Sequence, residues 1–272
     1  MKVLKLEEIL VSSINSYLER KLNEVSTVDE DFDEVYFLHI LFQRYKTELT
    51  DIIPDKAVLM EMEKRLENTI LKIMKVIENK RTFIHKLNLY EQSQVLFTLI
   101  GINYLVSLKN QQPRPLFLTN DEIKIIENSL GFSVIFDFMI EFFCKKLGID
   151  LSSFTEVKSK DKVEETYLHT HFFLLETDYF INSCNGDNVS ELLLNVDFVL
   201  DAKLGDLVAE LYWSLNFFKY DNYKVMGKLE QFLLNSYQNG QWVFHYENRR
   251  QIWHSQYSCI VAFLEEKKRY KL

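Results

Sequence analysis

Histidines and carboxylates set among apolar, helix-forming residues are the groups in this sequence best placed to do chemistry. The densest such segment is Tyr167-Leu168-His169-Thr170-His171-Phe172-Phe173-Leu174-Leu175-Glu176-Thr177-Asp178-Tyr179-Phe180. On a helix, His171 and Asp178 stand seven residues apart and share a face, with Leu174 and Leu175 between them. That face is otherwise apolar, so two ionisable groups on it need partners. His169 points another way and is expected to be exposed or to cap a neighbouring element. A second pair, Asp206 and Glu210, has i,i+4 spacing and lines one side of a helix. Asp206 falls in the first turn, where the helix dipole favours an anion. Glu210 lies among Leu207, Val208, Leu211, Tyr212 and Leu215. His254, directly after Trp253, starts the last helix in another aromatic setting.

Two chemistries fit these residue types. Imidazole and carboxylate ligands suit a divalent ion such as Zn, Fe or Mn, which His171, Asp178, Asp206, Glu210 and His254 would hold together. Alternatively, His171, Asp178 and His254 would supply general acid and base groups in a cavity. Neither H-E-x-x-H nor E-x-x-H spacing occurs, and both chemistries require three helices to converge. Each residue also has a structural explanation: a buried histidine donating to a nearby aspartate, or a solvated first turn. G-x-S-x-G, P-loop and dinucleotide fingerprints are absent. The run Asp29-Glu30-Asp31-Phe32-Asp33-Glu34 superficially resembles the metal–diphosphate motifs of isoprenoid enzymes, but is expected to be a solvated interhelical loop.

The elements that must position these groups are helices. Seven Gly and three Pro in 272 residues leave little material for tight turns or a phosphate-cradling loop. Apolar residues recur at helical spacing along nearly the whole chain, giving about eleven helices in antiparallel pairs joined by short connections. Pro54 suits a first helical turn, Asn88 reads as a cap, and Thr119 with Glu122 reads as a capping box. The polar, Lys/Glu-rich stretch to residue 165 reads as a linker, followed by helices at about 166–181, 189–200, 204–219 and 221–237. Gln238-Asn239-Gly240 is a turn, and Gln241–Tyr246 has the pattern of a short strand. The division expected is an N-terminal helical half over 1–150, a linker or mobile loop over 151–165, and a C-terminal half with the candidate site over 166–272. Twenty-one Phe and 14 Tyr predict aromatic walls for any cavity.

A formal net charge of −8 argues against electrostatic binding to nucleic acid or to an anionic membrane. The basic tail at Lys267, Lys268, Arg269 and Lys271 reads as a solvated terminus. No stretch reaches the roughly 18 apolar residues of a membrane span, and the N-terminus lacks the apolar core of a signal peptide. Three cysteines (144, 184 and 259) without metal-type spacing fit reduced thiols and a cytoplasmic protein.

Lys228, Phe232, Leu233, Gln238, Gly240 and Trp242, followed by His254, resemble the Gln–Trp repeat of the squalene cyclase and protein prenyltransferase class. The resemblance covers about 40 residues in one copy, with a shorter Gln–Gly spacing than is usual there. It implies an α/α toroid, in which two rings of antiparallel helices surround a central cavity. The acidic motif of the cyclases and the zinc set of the prenyltransferases have no counterpart here, so the likeness bears on fold and not on reaction. Thr170-His171, Thr177-Asp178, Asp206 with Glu210, and Trp253-His254 also resemble a bacterial family associated with natural-product genes. That likeness implies a biosynthetic or tailoring enzyme acting on a small molecule or peptide. The other expectation is a non-catalytic helical protein holding a peptide or protein partner in an aromatic groove.

Overall fold

The computed structural model describes residues 2–24, 32–110, 116–131, 134–151, 159–180, 189–244 and 249–270. Among the described residues the fold is all-α apart from one hairpin of two-residue strands. In chain order the helices are α1 (Lys2–Glu24), α2 (Phe32–Arg44), α3 (Lys46–Ile52), α4 (Lys56–Arg81), a 3-10 turn at Ile84–Lys86, α5 (Leu89–Asn110), α6 (Asn120–Ser129) and α7 (Val134–Lys146). They continue with α8 (Lys162–Glu176), α9 (Val189–Leu193), α10 (Val196–Asp201), α11 (Gly205–Phe217), α12 (Tyr223–Ser236) and α13 (Arg249–Tyr270). The hairpin, β1 (Tyr237–Gln238) with β2 (Gln241–Trp242), lies between α12 and α13. Among the described residues, no helix is long and apolar enough to cross a membrane.

Local side-chain chemistry sets many helix boundaries. Asn88 and Glu91 bond reciprocally, each side chain accepting from the other's backbone N–H at 3.0 Å, and so open α5. Thr119 and Glu122 form the expected capping box at α6. Asp161 accepts from the Val163 and Glu164 N–H groups and starts α8 four residues before its apolar pattern begins. The helix expected over 189–200 is interrupted at Leu194–Asn195, where the Asn195 amide donates to the Glu191 carbonyl. The expected Gln–Asn–Gly turn is present, with Asn239 and Gly240 at φ 51° and 87°, values that suit a tight hairpin. Of the strand pattern over Gln241–Tyr246, Gln241 and Trp242 pair, and residues 245 and 246 lie outside the described residues. Cys184 and residues 29–31 of the acidic run lie outside them as well, while Phe32, Asp33 and Glu34 of that run open α2 instead of forming a loop.

The chain forms two compact units. One comprises Val25–Tyr36 and Leu66–Leu168, and in it α5 packs on α6 and α7. Its core is aromatic: Tyr104 stacks on Phe143 at 4.8 Å, and Phe97 meets Phe136 at 4.5 Å. Cys144, buried there, has its thiol pushed up to about 12 by loss of solvent. The other unit comprises Met1–Glu24, Phe37–Arg65 and His169–Leu272, and contains every candidate site residue.

In that second unit α11 is the central element, packed chiefly on α13 and also on α12, α10 and α9. Every residue from Gly205 to Asn216 is buried, as a helix apolar on all sides requires. The hairpin closes onto the same core. Gln256 of α13 clamps Trp242, accepting from its N–H at 2.8 Å and donating to its carbonyl at 2.6 Å. The indole stacks on Phe263 at 5.8 Å. At the start of α11 there is no room for a side chain, because a Cβ on Gly205 would fall inside the Phe244 ring. Phe244 in turn stacks on Phe232 of α12 at 6.1 Å. Gly205→Ala is therefore expected to destabilise the protein by about 1–3 kcal/mol, measured as a lower denaturant midpoint with unchanged slope.

Candidate functional site

Burying a helix on all sides makes each polar side chain on it a problem to be solved by a specific partner. On α11 these are Asp206, Glu210, Ser214 and Asn216, and the first three follow one another at i,i+4 along a single face. Ser214 donates to the Glu210 carbonyl at 2.8 Å, and Asp206 accepts from the Leu207 N–H at 2.8 Å. The Glu210 carboxylate, 1% exposed, draws its partners from two other helices.

From α13, His254 Nε2 lies 3.1 Å from Glu210 Oε1. From α8, the Thr170 hydroxyl donates to Oε2 at 2.5 Å. His171 Nδ1 lies 3.7 Å from the same Oε2 and 3.4 Å from Thr170 Oγ1. Burial alone would push the carboxyl upward. The His171 charge, followed by the hydrogen bond and charge of His254 and the Thr170 hydroxyl, outweighs it and holds Glu210 below its ordinary 4.5. Glu210 is thus a carboxylate. Solvent access falls steeply across the cluster: the His254 side chain is 27% exposed and that of His171 11%. The anion sits inside, and the imidazole of α13 reaches outward.

Of the five residues singled out from sequence, His171, Glu210 and His254 meet through the Glu210 carboxylate. Asp206 stands one turn earlier on α11. Placing Asp178 on the face of His171 needs helix through position 178, yet α8 ends at Glu176. Thr177 ends it: its hydroxyl donates to the Phe173 carbonyl and accepts the Phe180 N–H, at 2.6 and 2.8 Å. Asp178, Tyr179 and Phe180 then turn left-handed at φ 48°, 55° and 64°, all buried. Three consecutive non-glycine residues in this region are costly, and their surroundings must hold them there. His169 is partly buried, its Nδ1 3.0 Å from the Asn195 amide nitrogen.

A second buried network lies in the same unit. Glu265 Oε2 accepts from Arg44 Nη2 at 2.5 Å, Arg44 Nε at 3.0 Å and the Tyr45 hydroxyl at 3.0 Å. Trp213 Nε1 donates to the Tyr45 oxygen at 2.6 Å. Arg44 also donates to the Phe180 carbonyl, which anchors the left-handed turn. Burial and the nearby Glu265 charge push the Tyr45 phenol well up. Sequence reading does not single out any of these groups as partners, nor Thr170 as a member of the Glu210 cluster.

Among the described residues, no group of three or more His, Cys, Asp or Glu side chains is arranged to hold a metal ion. Both Glu210 oxygens accept hydrogen bonds, as a carboxylate that supports an imidazole does. What the arrangement can do is orient an imidazole and stabilise its protonated form, the part a buried carboxylate plays beside a catalytic histidine. No protein-family model, curated protein or solved structure matches this chain.

The depressed Glu210 carboxyl sets a sign for stability. A group whose folded value lies below its unfolded one contributes stability that is complete above about 4.5, the unfolded value, and declines as pH falls through the folded value. Glu210→Gln should lose about 1–3 kcal/mol at neutral pH and much less in acid. Urea unfolding of both proteins across the acid range measures this, and a pH-independent difference contradicts it.

Proposed function

We propose that this chain is an enzyme in which His254 acts as general base and acid on a small molecule or peptide, oriented by the Glu210 carboxylate. The observation that carries this reading is the gradient of burial across one hydrogen bond: an anion with 1% exposure bonded to an imidazole whose side chain is 27% exposed. A base has to be reached by its substrate, whereas its orienting carboxylate works best away from water. Glu210 Oε1 holds His254 Nε2 at 3.1 Å and orients the ring for proton transfer. The imidazolium then formed is stabilised by the same carboxylate. His171, against Oε2, is the second imidazole of the site.

The aromatic core and paired helices support an α/α-toroid-like arrangement, as the Gln–Trp resemblance implies. The bacterial natural-product likeness favours a biosynthetic or tailoring reaction. Acid–base chemistry is preferred over metal chemistry because the Glu210 oxygens point at ring nitrogens and a hydroxyl.

The test compares wild-type protein with His254→Ala and Glu210→Gln after incubation with a fractionated extract of small metabolites and peptides, read by mass spectrometry. Features converted by wild type should be converted roughly 100- to 10,000-fold more slowly by His254→Ala. If wild type and His254→Ala leave identical extracts, the enzyme reading fails and the helical binding protein takes its place. Stoichiometric Zn, Fe or Mn in purified wild type, lost in His171→Ala, would replace acid–base chemistry with metal chemistry.

A further inference from the structure

The residue types of α8 do not stop the helix where it stops. No glycine, asparagine or proline stands between Lys162 and Phe180, and the apolar spacing carries the helix on to about residue 181. The backbone instead closes a Schellman end. The Asp178 N–H donates to the Leu175 carbonyl at 2.9 Å, and the Tyr179 N–H donates to the Leu174 carbonyl. Glycine usually takes the left-handed position of that motif. Here it is Asp178, followed by two aromatic residues that are left-handed as well. Local preference and observed conformation therefore disagree over residues 178–180.

Two groups decide between them. The buried Thr177 hydroxyl accepts the Phe180 N–H at 2.8 Å, a donor that a continued helix would give to the Glu176 carbonyl. From another part of the chain, Arg44 Nη1 donates to the Phe180 carbonyl. Glu265 holds the same guanidinium through Nε at 3.0 Å and Nη2 at 2.5 Å, so a buried ion pair aims Nη1. The Phe180 ring is fixed as well, stacked on Phe217 at 4.3 Å and edge-on to Trp213 at 4.9 Å. The guanidinium lies 5.2 Å from the centre of the Phe217 ring.

We infer that residues 178–180 are a two-state segment: Arg44 and Thr177 hold it left-handed, and its other state continues α8 through Phe180. In the continued helix Asp178 stands on the face of α8 that carries His171. The switch thus adds a carboxylate to that face or withdraws it. This consequence for chemistry rests on the acid–base reading of the Glu210 site, whereas the two backbone states do not.

A pair of substitutions in the full chain reads the backbone at Asp178. Asp178→Gly and Asp178→Ala both lack the carboxylate and differ by one methyl group, so the difference in their stabilities reports the conformation. Glycine is the better residue at positive φ, and alanine in a right-handed helix. With the rest of the chain unchanged, Asp178→Gly should have the higher urea midpoint. Combined with Arg44→Lys, which keeps a charge for Glu265 but loses the fork that spans to Phe180, the order should reverse. Thr177→Val should reverse it too, and decides the test if Arg44→Lys does not fold. In Arg44→Lys or Thr177→Val alone, the three-bond HN–Hα couplings of residues 178–180 should fall to the small values of a right-handed helix. A higher midpoint for Asp178→Ala with Arg44 and Thr177 intact overturns the proposal. So does a folded Arg44→Lys or Thr177→Val chain that keeps the original order or the original couplings. Because neither readout needs a substrate, a failure here is distinct from a failure of the acid–base reading.

Discussion

A carboxylate removed from water on a helix with no exposed face is the constraint around which this part of the molecule is built. An uncompensated charge at that depth is prohibitive, so Glu210 can exist there only as part of a set. The set is drawn from α8 and α13, which fixes how those helices present Thr170, His171 and His254 to α11. The same requirement recurs about three turns along α13, where Glu265 gathers Arg44, Tyr45 and, through Tyr45, Trp213. Two buried carboxylates, each with its own donors, therefore hold one bundle in register. Packing between apolar faces tolerates sliding, whereas hydrogen bonds at 2.5–3.1 Å do not.

The two networks place different demands on their members. Around Glu265 the partners are a guanidinium and a phenol, neither of which changes protonation in the ordinary pH range. The Glu265 cluster is thus fixed structure. Around Glu210 the partners are two imidazoles and a hydroxyl. Similar architecture surrounds both buried carboxylates, and the difference between them lies in the residue types.

Where the physics is local, the sequence is readable. Helical periodicity and the caps at Asn88 and Thr119 depend on residues within one turn, as does the Asn239-Gly240 hairpin. His171, Glu210 and His254 stand out as ionisable groups in apolar helix, and the structure joins them. Other features depend on information the local pattern lacks. Asp161 opens α8 inside a charged stretch that carries no apolar stripe. Thr177 turns the chain left-handed before Asp178 by taking over backbone hydrogen bonds, which spacing arguments for a helix assume remain in place. Thr170 acquires its role from a carboxylate 40 positions away, and Arg44 and Tyr45 from one more than 200 positions away.

The unit holding Glu210 is drawn from Met1–Glu24, Phe37–Arg65 and His169–Leu272, while most of the intervening chain forms a unit of its own. As a ribosome extends the chain, α1 and α3 emerge long before α13, the helix each of them packs against. Their apolar faces must wait through more than a hundred intervening residues. Closing such a separation slows folding, and the waiting surfaces are open to misassociation in the meantime. The Glu210 cluster accordingly cannot close until α13 has been made, and until then the bundle is incomplete.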